Sequence, residues 1–222
     1  MKKFLIGSVC FLLVFFLVAC GKDKAKEEGN KIELTEEEKL PDDQVVVIVN
    51  DTEINGAIYN SMYLQLKTIV TKPDGEVDKD QLKNATIDSI VDKELFMQLA
   101  KKDGIEIDDK EVEAQLKHFK EVDEKGYDTL KEQFNYTEEA IANQLKLELA
   151  RKEYIDKNIK VEVTDEEVEQ LYNDVKERTE DIPELDSVRE ELRTNIEDQK
   201  SAEEVGKHID EFKKEAEIEV LL

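Results

Sequence analysis

Hydrophobic and polar positions divide the chain into three stretches. The first is an almost unbroken apolar run, Phe4–Val18, preceded by Met1-Lys2-Lys3. It falls short of the about 20 residues a spanning helix needs and suits the apolar region of a signal peptide. Residues 21–43 follow, charged and without sustained periodicity, which predicts a flexible tether. At Val45 the pattern changes. Val45-Val46-Val47-Ile48-Val49 is a β-branched run bounded by Asn50-Asp51, a strand entering a turn.

From Asn55 onward the pattern is helical almost to the end. The spacing predicts a helix from Asn55 to about Thr71, with Ile58, Met62, Leu66 and Ile69 at helical spacing, broken by Pro73-Asp74-Gly75. A second helix runs from about Asp78 to Lys102 with Ile87, Ile90, Val91, Leu95 and Leu99 on one face, and Gly104 ends it. Two similar starts, Ile105-Glu106-Ile107-Asp108 and Val161-Glu162-Val163-Thr164, each carry a cap with Glu three residues later and open helices over about 109–124 and 165–178. Between these lie a short helix, Tyr127–Asn135, and a long one, Thr137–Lys157. Pro183 opens a last helix to about Lys214, and the alternation of Ala216–Leu222 marks a closing strand able to pair with Val45–Val49. The fold class expected is mainly α, with a small β-sheet pairing the N- and C-terminal strands.

Composition sharpens this picture. Of 222 residues, 32 are Lys or Arg and 56 Asp or Glu, a net charge of −24. Such a balance alone leans towards disorder, but the agreement of stripes and caps argues for a folded helical body. The same charge argues against nucleic acid as a partner, because phosphate neutralisation needs clustered cations. It also argues against attachment to anionic lipid through basic patches.

Attachment has another candidate. Leu17-Val18-Ala19-Cys20-Gly21 closes the apolar run and resembles the lipobox of bacterial lipoproteins. That resemblance implies cleavage before Cys20 and diacylation of its thiol, two chains being enough for stable anchoring. The expected organisation is a signal peptide over 1–19, an acidic tether over 20–43 and a helical domain over 44–222. The other cysteine, Cys10, lies in the removed segment, so no disulfide framework is available. The location implied is the outer face of the cell membrane, and the excess of Lys over Arg suggests a Gram-positive source.

Four stretches carry a second resemblance: VVVIVNDTEINGAIYNSMYLQL, IDSIVDKELFMQLAKKDGIEIDDKEVEAQL, YTEEAIANQLKLELARKEYI with VEVTDEEVEQLYND, and EEVGKHIDEFKKEAEIEVLL. Their order is similar to the non-catalytic domain of SurA/PrsA-type extracytoplasmic chaperones, with Asn50-Asp51 in place of the usual Asn-Gly. In full-length foldases of that type a parvulin prolyl-isomerase domain lies between the last two stretches. Here Lys176–Pro183 is a short bridge, far below the about 50 residues of a small domain. The resemblance also implies a histidine cluster for parvulin chemistry, whereas this chain has two histidines, His118 and His208, on separate predicted helices. The implied protein is the chaperone scaffold without the enzyme, needing no cofactor.

Other chemistry is sparse. Asp51-x-Glu53-x-Asn55-Gly56 imitates half a calcium loop, but Met62 stands where a bidentate Glu is needed. No phosphate loop or nucleophile elbow occurs. Several large apolar residues lie off the main stripes: Phe96 opposite Ile87, and Leu147 and Tyr154 opposite Ile141, Leu145 and Leu149. Either these helices are sandwiched between two neighbours, or the second stripe lines an open cradle for unfolded or exported polypeptides. On the second reading Met62, Phe96, Met97, Leu147 and Tyr154 contact the client, the methionines adaptably. Rival functions are a dedicated non-catalytic subunit of an envelope, secretion or sporulation complex, and an isomerase-related foldase.

Overall fold

The run Val45–Val49 is the central strand, β1, of a three-stranded antiparallel sheet. On one side it pairs with β2 (Thr52–Asn55) and on the other with β3 (Ile218–Val220). The computed structural model describes residues 32–70, 78–132, 134, 136–179 and 182–222. Cys20 and the apolar run before it, which carry the signal-peptide and lipid-anchor expectations, lie outside the described residues.

Pairing of the two ends of the domain is as the alternation predicts, with Val47 opposite Val220 and Val49 opposite Ile218. Strand β2 is an addition: Thr52-Glu53-Ile54-Asn55 holds one large apolar residue, too little for a strand signal. A register irregularity between Val45 and Val47 leaves both Val46 and Val47 inside. The hairpin turns on Asn50, whose φ of 54° lies in the left-handed region that Asn tolerates better than most residues. Its side chain ties the sheet together: Oδ1 accepts from Glu217 N at 2.9 Å and Nδ2 donates to Gln98 Oε1 at 2.6 Å.

Seven helices follow among the described residues: α1 (Gly56–Val70), α2 (Lys79–Lys102), α3 (Asp109–Val122), α4 (Glu124–Glu132), α5 (Glu138–Asn158), α6 (Asp165–Lys176) and α7 (Leu185–Lys213). Local chemistry explains their ends. Asp78, Asp108 and Thr137 accept from Gln81 N, Lys110 N and Ala140 N, and Thr164 with Glu167 makes a full capping box. At the end of α2, Gly104 takes φ 76° while Ile105 N donates to Ala100 O and Gly104 N to Lys101 O, the Schellman arrangement. Helix α4 starts at Glu124, ahead of the expected Tyr127, because Asp123 Oδ1 accepts from Gly126 N and carries the helix through the glycine.

Helix α2 is the spine. Through Leu82, Ile87, Ile90, Val91 and Leu95 it joins the sheet, Tyr59 and Tyr63 in one core. Its second half, with Phe96 and Leu99, joins α3, α4, α5 and Val205 of α7 in another. A smaller cluster, Val168, Tyr172, Leu192 and Ile196, holds α6 against the start of α7.

One expectation is corrected here, the flexible tether, over its residues 32–43. The inward face of α1 is Tyr59 and Tyr63, while Ile58 and Ile69 are 49% and 65% exposed. The cause is residues 32–44, which lie along α1 where the composition predicts a flexible tether. Thr35 N donates to Glu38 Oε2, Leu34 and Leu40 pack against the first core, and Asn60 both donates to Leu40 O (2.8 Å) and accepts from Leu40 N (2.9 Å). Gly56 is needed beneath this strap, since a Cβ there would stand 2.0 Å from Pro41 O. Lys67 Nζ then locks it, donating to Glu33 O and, at 2.7 Å, to a Glu38 carboxylate only 6% exposed. Burial alone would raise the Glu38 carboxyl, but hydrogen bonds from Lys67 and Thr35 outweigh it and hold the group below its ordinary value. Burial and the Glu38 charge push the Tyr63 phenol up to about 12.

Candidate functional site

Helices α1 and α5 both pack on α2, one on each side, and leave part of its outer face uncovered. The result is a groove of about 480 Å³. Ile54 of β2 and Ile90 of α2, both buried, form its floor. Ile58 and Met62 of α1, Met97 of α2 and Leu147 of α5 form apolar walls, partly open to solvent. Each wall follows from helical spacing: 58 and 62 lie one turn apart on α1, as do 140, 143, 144 and 147 in successive turns of α5.

The polar members are sorted by their partners. Gln65 Nε2 donates to Ser61 Oγ at 3.1 Å, Glu94 Oε1 accepts from Gln98 Nε2 at 2.7 Å, and Lys146 is paired with Asp109 at 2.8 Å. Lys93 differs. Its Nζ donates to Gln144 Oε1 at 3.2 Å, and Gln144 Nε2 in turn donates to Glu148 Oε1 at 2.8 Å. Burial lowers the Lys93 ammonium below its usual pKa, with Glu148 opposing at longer range.

Of the five residues expected to contact a client, Met62, Met97 and Leu147 are brought together along this groove. Phe96 and Tyr154 are not. They are 3% and 2% exposed and meet edge to face, ring centroids 5.6 Å apart. Tyr154 Oη also lies 2.9 Å from His208 Nδ1 of α7. Helix α7 covers this side of α2 and α5, so these two rings are core and their assignment to an open cradle is corrected. The groove residues missed from sequence are Ile54, Ile58 and Lys93. Ile58 carried a signal, its helical spacing with Met62; Lys93 carried none, since a helical lysine is solvated by default.

The stretch resembling a calcium loop is the hairpin and β2, with Asn55 Oδ1 accepting from Ile58 N at the start of α1. Among the described residues no group of three or more His, Cys, Asp or Glu is placed to hold a metal, and no helix is long and apolar enough to cross a membrane.

The SurA-like N-terminal domain family model matches residues 1–155, a span that contains every lining residue of the groove. The chain belongs to this family. It is also similar to the foldase protein PrsA of Caldanaerobacter subterraneus subsp. tengcongensis, at 28% identity over 211 residues. That match covers 88% of this chain and 58% of the relative, so the chain spans less than two thirds of the relative's length. The SurA-like assignment brings a chaperone-like family to a molecule that carries an apolar groove between α1, α2 and α5. In this SurA-like chain, α6 passes to α7 through Glu177–Glu184 alone.

Proposed function

We propose that the protein is a lipid-anchored, non-catalytic chaperone that holds apolar segments of unfolded or exported polypeptides in the α1–α2–α5 groove. The observation that carries the reading is the groove itself: two methionines and a leucine, adaptable and partly exposed, over a floor of buried isoleucines. The family assignment supports it. Lack of isomerase chemistry is supported by the α6–α7 connection, too short for a domain of about 50 residues. Attachment at the outer face of the membrane is supported by Leu17-Val18-Ala19-Cys20 behind an apolar run and a basic start.

The test is suppression of aggregation. The wild-type protein should slow light scattering by an unrelated unfolded client and should leave prolyl isomerisation of a test peptide at its uncatalysed rate of tens of seconds. Met62→Gln combined with Leu147→Gln should abolish most of the suppression while the thermal midpoint moves by only a few degrees, about 1 kcal/mol. Full suppression by that variant would refute the groove as the client site. Isomerase turnover by the pure protein would refute the non-catalytic reading.

A further inference from the structure

Two lysines line the groove, and they are not equivalent. Lys146 already pairs with Asp109. Lys93, in the wall contributed by α2, has no carboxylate within 4.0 Å among the described residues, and its recorded hydrogen bond goes to the neutral amide of Gln144. The carboxylates that share the lining do not reach it: Glu94 is engaged by Gln98, and Glu139 stands exposed at the start of α5. Glu148 is held one step away, through Gln144. A chain with 56 acidic residues thus places a partly buried ammonium, with donor capacity to spare, beside Met97 and Leu147 without giving it an acidic neighbour in contact. Burying a charge in this way is unfavourable unless it is met, and burial accordingly disfavours the charged form of Lys93.

We infer that the groove takes an apolar segment carrying one side-chain carboxylate, of Glu or Asp, which receives a charge-assisted hydrogen bond from Lys93 Nζ while flanking apolar side chains seat on Met62, Met97 and Leu147. This deepens the chaperone reading and rests on it. The acidic surface does not oppose it, because screening confines surface repulsion to about 8 Å at physiological salt. It does mean that the segment's other charges should be basic, so the preferred client is apolar and cationic overall with a single acidic group inside the groove.

The experiment uses the full chain in phosphatidylcholine nanodiscs, with empty discs as control, and two fluorescent peptides rich in Leu, Phe and Lys that differ by one central Glu or Gln. Fluorescence anisotropy should show the Glu peptide binding about tenfold more tightly, the effect of one hydrogen bond to a charged group. Lys93→Met should bring the ratio of the two affinities below about twofold, and Lys93→Arg should keep most of it. Equal affinities for wild type, or an undiminished preference in Lys93→Met, would overturn the inference even where both peptides still bind. A separate result would remove the groove reading itself, and the inference with it: binding of both peptides that Met62→Gln with Leu147→Gln leaves intact.

Discussion

Neighbouring positions on one helix should respond in opposite ways. Phe96 and Met97 are adjacent on α2, yet the first is sealed between α5 and α7 and the second opens on the groove. Phe96→Ala removes a ring that is packed edge to face on Tyr154. Truncating a buried Phe costs about 3–5 kcal/mol, and the ring pair, worth about 0.5–1.5 kcal/mol, puts this site towards the upper end. At about 2–4 °C per kcal/mol for a domain of this size, the midpoint should fall by roughly 8–16 °C. Met97→Ala removes a partly solvated thioether, costing about 1 kcal/mol and only a few degrees. Melting followed by helical circular dichroism gives the first quantity. Aggregation suppression, measured well below both midpoints, gives the second. Phe96→Ala should retain suppression there and Met97→Ala should lose part of it. A shift under about 3 °C for Phe96→Ala together with lost suppression would refute the placing of that ring in the core.

Asn50 supplies a second contrast. Asn50→Gly keeps the backbone at φ 54° and loses the bonds to Glu217 N and Gln98 Oε1, so urea unfolding should report about 1–2 kcal/mol; Asn50→Ala adds a left-handed residue with a Cβ and should cost about 1 kcal/mol more. Equal losses would show that backbone conformation plays no part. For Glu38 the folded carboxyl is depressed below its ordinary 4.5, so its stabilisation is present above that value and is lost as pH falls through the lower folded one. Glu38→Gln should therefore be less stable than wild type at neutral pH and equal to it in strong acid, as read from unfolding free energies against pH; a constant gap would contradict the ion pair with Lys67.

What the sequence made legible was local. Asp78, Thr137, Thr164 and Gly104 sit at the helix ends they mark, because a cap is decided within a few residues. The β1–β3 pairing was also legible, since two β-branched runs at the ends of a helical domain have few other partners. The corrections share one cause, which is that periodicity locates a face without saying what covers it. On α1 the strap selected Tyr59 and Tyr63 over Ile58 and Ile69. On α2 and α5, α7 took Phe96 and Tyr154 and left Met97 and Leu147 to the groove. Lys93 became notable only because, among the described residues, no carboxylate stands against it, and no single chain pattern records that.

The docking of residues 32–44 also fixes a distance of operation. Under the lipid-anchor reading, residues 32–44 belong to the docked body rather than to the tether, so twelve positions instead of about two dozen separate them from Cys20. Even fully drawn out, twelve residues reach about 40 Å, against about 80 Å for twice that number. The leash is therefore no longer than a small protein is wide. On that reading, a lipid at Cys20 would confine capture by the groove to a shell next to the bilayer. On the same reading, releasing the Glu38–Lys67 lock would lengthen the leash and loosen the α1 wall of the groove together, so one ion pair would tie the reach of the protein to the shape of its binding surface.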